Sequence, residues 1–187
     1  MKIVVIGTGY VGLVSGACFS EFGFDVTCID KDVAKIETIN QGVMPIYEPG
    51  LAELVARNIN SGRLRFSNDT SAAVAQADAV FISVGTPTRR GDGHADLSFV
   101  YAAAEELAAH LSGYTVIVTK STVPVGTGRE VAAIVKKANP DANFDMVSNP
   151  EFLREGAAIS DFMRPDRVVV GAETERARDV MRALYRP

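Results

Sequence analysis

The sequence predicts an α/β protein whose doubly wound, mostly parallel sheet carries helices on both faces. Short runs rich in β-branched residues alternate with stretches of helical periodicity, an order typical of parallel sheets. Residues 3–6 and 80–82 are apolar at successive positions, as in strands that are buried on both faces. Right-handed crossovers between parallel strands then favour the doubly wound topology.

The elements follow in chain order. The predicted strands are residues 2–6, 25–29, 64–66, 79–84, 114–119, 144–147 and 167–170. Apolar residues at helical spacing predict one helical face through Val11, Val14, Cys18 and Phe22, and another through Leu97, Val100, Ala104, Leu107 and Leu111. Thr70 and Asp96 occupy predicted N-cap positions, and residues 173–185 predict a last helix.

Composition excludes several classes of protein. The 187 residues are 47% hydrophobic and 22% charged, which is typical of a globular domain and not of a disordered or fibrous chain. No apolar run reaches the roughly 18 residues of a membrane span, so no membrane partner is expected. The net charge of −4 argues against nucleic acid as a partner. Two cysteines and two histidines predict no disulfide framework and no metal site, and a cytoplasmic location is expected.

The sharpest motif is the segment Gly7-Thr8-Gly9-Tyr10-Val11-Gly12, which leaves a predicted strand and opens a predicted helix. Gly7 permits the tight turn, Gly9 lets a diphosphate approach the backbone, and Gly12 lets the helix pack closely on the strand. Asp30 ends the next strand, 21 residues after Gly9. This context predicts a Rossmann-like dinucleotide-binding domain over residues 1–187, with the diphosphate at the helix N-terminus.

Asp30 indicates which dinucleotide binds. Its carboxylate can accept hydrogen bonds from the adenosine ribose hydroxyls of NAD, whereas NADP would place a phosphate of about −1.5 to −2 beside it. At intermediate dielectric, each like charge at about 4 Å costs a few kcal/mol. NAD is therefore the predicted cofactor, although Lys31 or Lys35 would weaken the preference.

Further motifs follow the glycine turn in order: residues 46–51 (IYEPGL), 84–88 (VGTPT), 120–127 (KSTVPVGT) and 148–156 (SNPEFLREG). Together they resemble the nucleotide-sugar dehydrogenases, which oxidise the C6 hydroxyl of a sugar to a carboxylate with NAD. Residues 158–171 (AISDFMRPDRVVVG) are most similar to the members that act on UDP-glucose. Dehydrogenases for GDP-mannose or UDP-N-acetylmannosamine are the alternatives within enzymes, and a non-catalytic NAD-sensing module is the alternative outside them.

The resemblance covers all 187 residues of this chain, but these correspond only to the N-terminal, NAD-binding half of a full-length family member. It implies a chain truncated before a central helix and a C-terminal UDP-binding domain. Those parts supply the catalytic cysteine, on which a thioester forms, and the contacts of a homodimer. Cys18 and Cys28 lie on predicted buried faces and are poor substitutes for that cysteine. The chain alone is expected to bind NAD without completing the reaction to UDP-glucuronate.

The resemblance also implies site residues. Cofactor contacts are expected at Gly7, Gly9, Tyr10, Val11, Gly12, Asp30, Lys35, Thr86, Thr122 and Glu155, and substrate contacts at Glu151, Phe152, Leu153 and Arg154. Glu151 is the expected catalytic carboxylate, because alcohol oxidation must shed a proton and a water must later attack. Thr122 is expected to hold that water, with a helix cap ahead of Pro124 as the alternative. Residues 89–92 predict a solvated turn.

Overall fold

The computed structural model describes residues 1–89, 91 and 93–187. Within them, seven strands form one sheet in the order β3-β2-β1-β4-β5-β6-β7. The strands are β1 (Lys2–Ile6), β2 (Asp25–Ile29), β3 (Leu64–Ser67), β4 (Ala79–Ile82), β5 (Tyr114–Thr119), β6 (Asn143–Ser148) and β7 (Gly171–Ala172). The first six strands are parallel and β7 is antiparallel to β6. The predicted doubly wound, mostly parallel fold is confirmed.

Helices cover both faces, because the central strands are apolar on both sides. The helices are α1 (Tyr10–Glu21), α2 (Val33–Asn40), α3 (Leu51–Asn60), α4 (Thr70–Val74), α5 (Ser98–Ala108), α6 (Thr127–Ala138), α7 (Ala158–Met163) and α8 (Glu175–Tyr185). Residues of α1, α2, α3, α7 and α8 share one core with β1 side chains such as Val5. Residues of α4, α5 and α6 share a second core with Val4, the neighbour that points to the opposite face.

The strand register brings the functional edge together. Ile6 of β1 pairs with Ile29 of β2 on one side and with Ile82 of β4 on the other. Thr119 of β5 pairs with Ile82 and with Ser148 of β6. The carboxyl ends of five parallel strands therefore meet at one edge, where doubly wound sheets bind their ligands.

The prediction of a strand at residues 167–170 is wrong. The ladder with β6 uses Gly171 and Ala172 instead, and the preceding run of valines is 37–41% exposed. A side chain holds this run, since Asn149 Nδ2 donates to the carbonyl of Val169 at 2.8 Å. The β-branched composition favours a strand there, but a strand forms only where a neighbouring strand is available for pairing. The last two residues of β6, Val147 and Ser148, pair with Gly171 and Ala172 instead.

A smaller difference concerns the start of α4. Asp69, not Thr70, caps α4 by accepting from the amides of Ser71 and Ala72. Across the described residues, no helix combines the length and the apolar character needed to cross a membrane.

Both cysteines are free thiols inside the first core. Cys18 and Cys28 have no exposed surface, and burial raises the pKa of each thiol to about 12. Glycine at position 16 makes room for one of them, because a Cβ there would lie 2.3 Å from Cys28 Sγ. The expectation that both thiols are buried is confirmed.

Candidate functional site

A cavity of about 620 Å³ opens at the carboxyl ends of β1, β2 and β4. Its walls are the turn after β1, the end of β2 with the start of α2, the loop after β4 and one face of α5. Four of the predicted cofactor residues line it: Gly7, Gly9, Asp30 and Lys35. The volume lies in the range of cavities that bind small molecules and cofactors.

The three glycines of the turn are required for different reasons. Gly7 has a φ of 100°, and a Cβ there would lie 2.7 Å from the Ser83 carbonyl oxygen. A Cβ at Gly12 would lie 1.8 Å from the Gly7 carbonyl oxygen. Gly9 differs, because its φ is −72° and a Cβ would meet nothing within 4 Å. Protein packing therefore explains Gly7 and Gly12, whereas the space at Gly9 fits a ligand that approaches the backbone.

The N-terminus of α1 fits an anion. Gly9 is its N-cap, no side chain of the described residues caps it, and its first turn contains no acidic residue. The first amides of a helix lack partners inside the helix, and the dipole there favours negative charge. The turn can therefore hold the diphosphate of a dinucleotide.

Asp30 is fixed at the end of β2 by four donors. Its Oδ2 accepts from the amide of Thr8 at 2.9 Å, from the Thr8 hydroxyl at 2.6 Å and from Lys35 Nζ at 2.7 Å. Its Oδ1 accepts from the amide of Asp32 at 3.1 Å. Burial alone would raise the pKa of Asp30, but the donors from Lys35 and Thr8 lower it to about 2. The carboxylate is thus ionised and oriented, with three of its contacts on Oδ2.

A second acidic residue, Glu106 of α5, lies across the cavity. Lys31 Nζ contacts Glu106 Oε2 at 2.8 Å, and the Thr70 hydroxyl donates to Glu106 Oε1 at 2.6 Å. Burial would raise the pKa of Glu106, but these two donors lower it. Thr8 and Glu106 are not among the residues that the sequence predicts for the site. The position of Thr8 between two glycines of the turn was a signal, whereas Glu106 lies on a helix that only the fold brings near.

Thr86 and Thr122 follow β4 and β5 and contact each other. The Thr86 hydroxyl donates to the Thr122 carbonyl at 3.2 Å. Thr122 is exposed, and neither residue lines the large cavity, although Gly85 and Pro87 do. Tyr10, Val11, Gly12 and Glu155 also lie outside its lining.

Beyond these threonines, a small cavity of about 50 Å³ contains a buried lysine. Lys120 is 3% exposed, and its Nζ donates to Asn149 Oδ1 and to the Tyr185 hydroxyl, each at 3.2 Å. Burial lowers the pKa of Lys120 to about 8, and the charge of Glu151 opposes that shift. Lys120 was missed, although a lysine directly after a buried strand was a signal for this edge of the sheet.

Glu151 lines the same small cavity and begins the loop of predicted substrate contacts. Its Oε2 accepts from the amide of Leu153 at 2.6 Å, which orients the carboxylate. Arg154 is paired with Asp161 through Nη2 and Oδ1 at 2.7 Å, and Phe152 is 52% exposed. The loop therefore places one half-buried carboxylate near Lys120. The side chains of Phe152, Arg154 and Glu155 are exposed, and that of Leu153 is half-buried against the first core.

The predicted turn at residues 89–92 is only partly described. Arg90 and Asp92 lie outside the described residues. Arg89 pairs its amide with the carbonyl of His94 at 2.7 Å, close to an isolated bridge between Thr88 and Ala95. Within the described part of the chain, no group of three or more histidine, cysteine, aspartate or glutamate side chains is placed to hold a metal ion.

The glycine turn, the fixed acid after the second strand and the cavity across the strand ends define the NAD-binding domain of a dehydrogenase. Comparison with known proteins identifies the family of dehydrogenases. The chain belongs to the UDP-glucose/GDP-mannose dehydrogenase family, since residues 1–187 match the model of that family's NAD-binding domain. The predicted family and the predicted cofactor are confirmed.

Individual relatives agree with this membership. The chain is 64% identical over its whole length to a UDP-glucose 6-dehydrogenase of Rhizobium meliloti, of which it covers 43%. A UDP-glucose dehydrogenase of Pyrobaculum islandicum superposes with a TM-score of 0.95 at 42% identity, over 99% of this chain and 44% of the other. A GDP-mannose dehydrogenase of Pseudomonas aeruginosa gives 0.94 at 35% identity, over 100% and 44%. The chain thus spans less than half the length of these relatives.

Proposed function

We propose that this chain is the NAD-binding domain of an enzyme that oxidises UDP-glucose to UDP-glucuronate, and that by itself it binds NAD without completing the reaction. Two hydrides leave C6 for two NAD molecules, and one water supplies the second carboxylate oxygen. The open space at Gly9 carries the proposal, because packing within the protein gives no reason for a glycine there.

The residues of the large cavity would each hold a defined part of NAD. The first amides of α1 bind the diphosphate, and Asp30 accepts hydrogen bonds from the adenosine ribose through Oδ1, where the chain itself supplies one donor. When bound, NAD supplies the hydride acceptor. The amides and Lys35 keep Asp30 ionised, so the carboxylate repels a 2′-phosphate and favours NAD over NADP.

Glu151 would handle the protons of the reaction. Its carboxylate takes the proton that the C6 hydroxyl sheds as hydride leaves, and it orients the water of the hydrolytic step. Support comes from its position at the carboxyl end of β6, its half-buried state and its oriented Oε2. Thr122 would hold the water, and Phe152, Leu153 and Arg154 would contact the sugar nucleotide. Glu155 is a proposed cofactor contact near the nicotinamide end, and Thr86 is a further proposed cofactor contact.

UDP-glucose is proposed over other sugar nucleotides because the relative with the higher identity carries that name. The relative named for GDP-mannose has little more than half that identity. Turnover of UDP-glucose, GDP-mannose and UDP-N-acetylmannosamine by the full-length protein tests the choice. Reduction of NAD only with a rival sugar nucleotide would reject the substrate, and the absence of any turnover would favour an NAD-sensing module.

Two measurements test the cofactor and the carboxylate separately. Titration with NAD and NADP should show tighter binding of NAD, and equal affinities would reject the role of Asp30.

In the full-length protein, Glu151→Gln should lower kcat by about 100-fold or more and leave NAD affinity within about twofold. Glu53→Gln, on the exposed face of α3, is the matched control and should change neither.

We also propose the setting in which the domain works. Residues 1–187 would be followed by a central helix and a UDP-binding domain, and the full-length protein would be a cytoplasmic homodimer. The two free, buried thiols agree with a reducing compartment. The mass of the assembly by light scattering tests the dimer, and cell fractionation tests the location.

A further inference from the structure

The motif at residues 46–51 takes no part in the proposed chemistry, yet it places a buried carboxylate, Glu48, between two other motifs. Glu48 is 5% exposed. Its Oε2 accepts from the Tyr10 hydroxyl and, at 2.8 Å, from the amide of Gly156. Its Oε1 accepts from the amide of Ala158 at 2.8 Å. A buried charge of this kind is stable only while its donors stay in place.

The donors keep Glu48 ionised and Tyr10 protonated. Burial would raise the pKa of Glu48, but the bonds from Tyr10 and from the amides of Gly156, Ala158 and Ile159 lower it. Burial and the Glu48 carboxylate raise the pKa of Tyr10 to about 12, so the phenol remains a donor at neutral pH. The link is therefore a charge-assisted hydrogen bond, which is shorter and stronger than a neutral one.

The two ends of this link are the two proposed ligand sites. Tyr10 directly follows Gly9 and is the first residue of α1, whose amides would hold the diphosphate. Gly156 directly follows the loop 151–155, which contains the proposed catalytic and substrate residues. The Tyr10 hydroxyl also lies 3.4 Å from the carbonyl oxygen of Arg154. One carboxylate thus joins segments that are 38 and 108 residues away from it in sequence.

We propose that Glu48 and Tyr10 are positioning residues that couple NAD binding at the glycine turn to the order of residues 151–156. A bound diphosphate fixes the N-terminus of α1 and with it the direction of Tyr10. Tyr10 then holds the Glu48 carboxylate, and the carboxylate holds the amides that end the loop. The coupling rests on the proposed function. If NAD raises the affinity for the sugar nucleotide by ordering the loop, then by linkage the sugar nucleotide must raise the affinity for NAD by the same factor.

Amide hydrogen exchange of the full-length protein with and without NAD tests the coupling. NAD should slow exchange at Gly156 and Ala158 by about fivefold or more, the low end of coupling between sites. In Tyr10→Phe, NAD should still bind within about threefold of the unmodified affinity, because the ring remains and the backbone is unchanged. The effect of NAD on the two amides should be lost in that variant.

Kinetics give a second readout that a merely structural role would not move. Tyr10→Phe should raise the KM for the sugar nucleotide several-fold while the KM for NAD changes little. Glu48→Gln should do the same with a larger loss of loop protection, since the amide offers only one oxygen acceptor. Glu53→Gln is the matched control for an acidic residue just beyond the same motif, and it should behave as the unmodified protein.

Two results would overturn the coupling. One is bound NAD without any change of exchange at Gly156 and Ala158 in the unmodified protein. The other is an unchanged NAD effect in Tyr10→Phe. Either result leaves the proposed function standing, whereas failure of the unmodified protein to bind NAD would reject both. If Glu48→Gln does not fold, Tyr10→Phe alone decides.

Discussion

The two halves of the functional edge differ in how completely this chain builds them. At the ends of β1, β2 and β4, a cavity of about 620 Å³ is lined by the glycine turn and by Asp30, which four donors hold in place. At the ends of β5 and β6, Lys120 and Glu151 share a cavity of only about 50 Å³. Phe152 and the valines of residues 168–170 stay between 37% and 52% exposed beside it. The first half is organised for its ligand, whereas the second holds charges beside an open, partly apolar surface.

The difference agrees with the proposed function, in which the NAD site lies within this chain and the sugar nucleotide also contacts a UDP-binding domain. A dinucleotide needs backbone amides and one acid, and a single βαβ unit supplies both. A sugar nucleotide needs several side chains at a wider surface, and in the proposed function one loop of this chain contributes only part of them. Variants of the turn, of Asp30 and of Lys120 test the two halves.

The largest effect is expected from a matched pair of alanines in the turn. Gly12→Ala should destabilise the fold by about 3 kcal/mol or more, because its Cβ would lie 1.8 Å from a backbone oxygen that must move. Gly9→Ala should cost less than about 1 kcal/mol, since Ala is only a poorer N-cap than Gly. It should nevertheless weaken NAD at least about tenfold, because the methyl group would occupy space that the diphosphate needs.

Denaturation midpoints and NAD titrations separate these outcomes. Unchanged NAD affinity in Gly9→Ala would show that the diphosphate does not lie at the turn. Full stability in Gly12→Ala would show that the turn can open, and the first half would then be less organised than its geometry indicates.

An intermediate effect is expected at Asp30. Asp30→Ala should weaken NAD by about 1–3 kcal/mol, the usual range for a hydrogen bond to a charged group, and should narrow the preference over NADP. Calorimetric titration with each dinucleotide measures both effects. Asp141→Ala, an exposed aspartate after α6, is the control, and an Asp30→Ala protein that matches it would contradict the assignment.

Lys120 gives the smallest expected effect, and it is a pH dependence. The folded protein loses the Lys120 proton near pH 8, whereas the unfolded chain keeps it to about pH 10.5, so the unfolded state binds more protons between these values. The free energy of unfolding, measured relative to Lys120→Met, should therefore rise by about 1.5 kcal/mol from pH 8 to pH 9.5. Urea denaturation at several pH values provides the measurement.

The control for this slope is Lys137→Met, since Lys137 is exposed on α6. Its difference from the unmodified protein should stay flat over the same pH range. A flat profile for Lys120→Met as well would mean that the Glu151 carboxylate cancels the effect of burial on the pKa of Lys120, and the contrast between the two halves would be smaller.

The sequence predicts the site at the ends of β1 and β2 better than the site at the ends of β5 and β6. The glycine turn and Asp30 belong to one local unit, so their spacing sufficed to place them on one edge. The groups that accept hydrogen bonds from Lys120 belong to Asn149 and Tyr185, 29 and 65 residues further along the chain, and only the packed fold brings them to it. Likewise, the β-branched composition around Val169 predicts a strand, but the side-chain amide of Asn149, 20 residues away in sequence, holds the carbonyl of Val169.

The buried thiols of Cys18 and Cys28 make this chain suitable for labelling experiments. Thiolate is the reactive form, and in both residues it is suppressed by the surroundings, so alkylating reagents should modify the native protein only when it opens globally. The rate of modification would then report the unfolding equilibrium directly, and a cysteine added on the surface would accept a fluorophore without competition from the native pair.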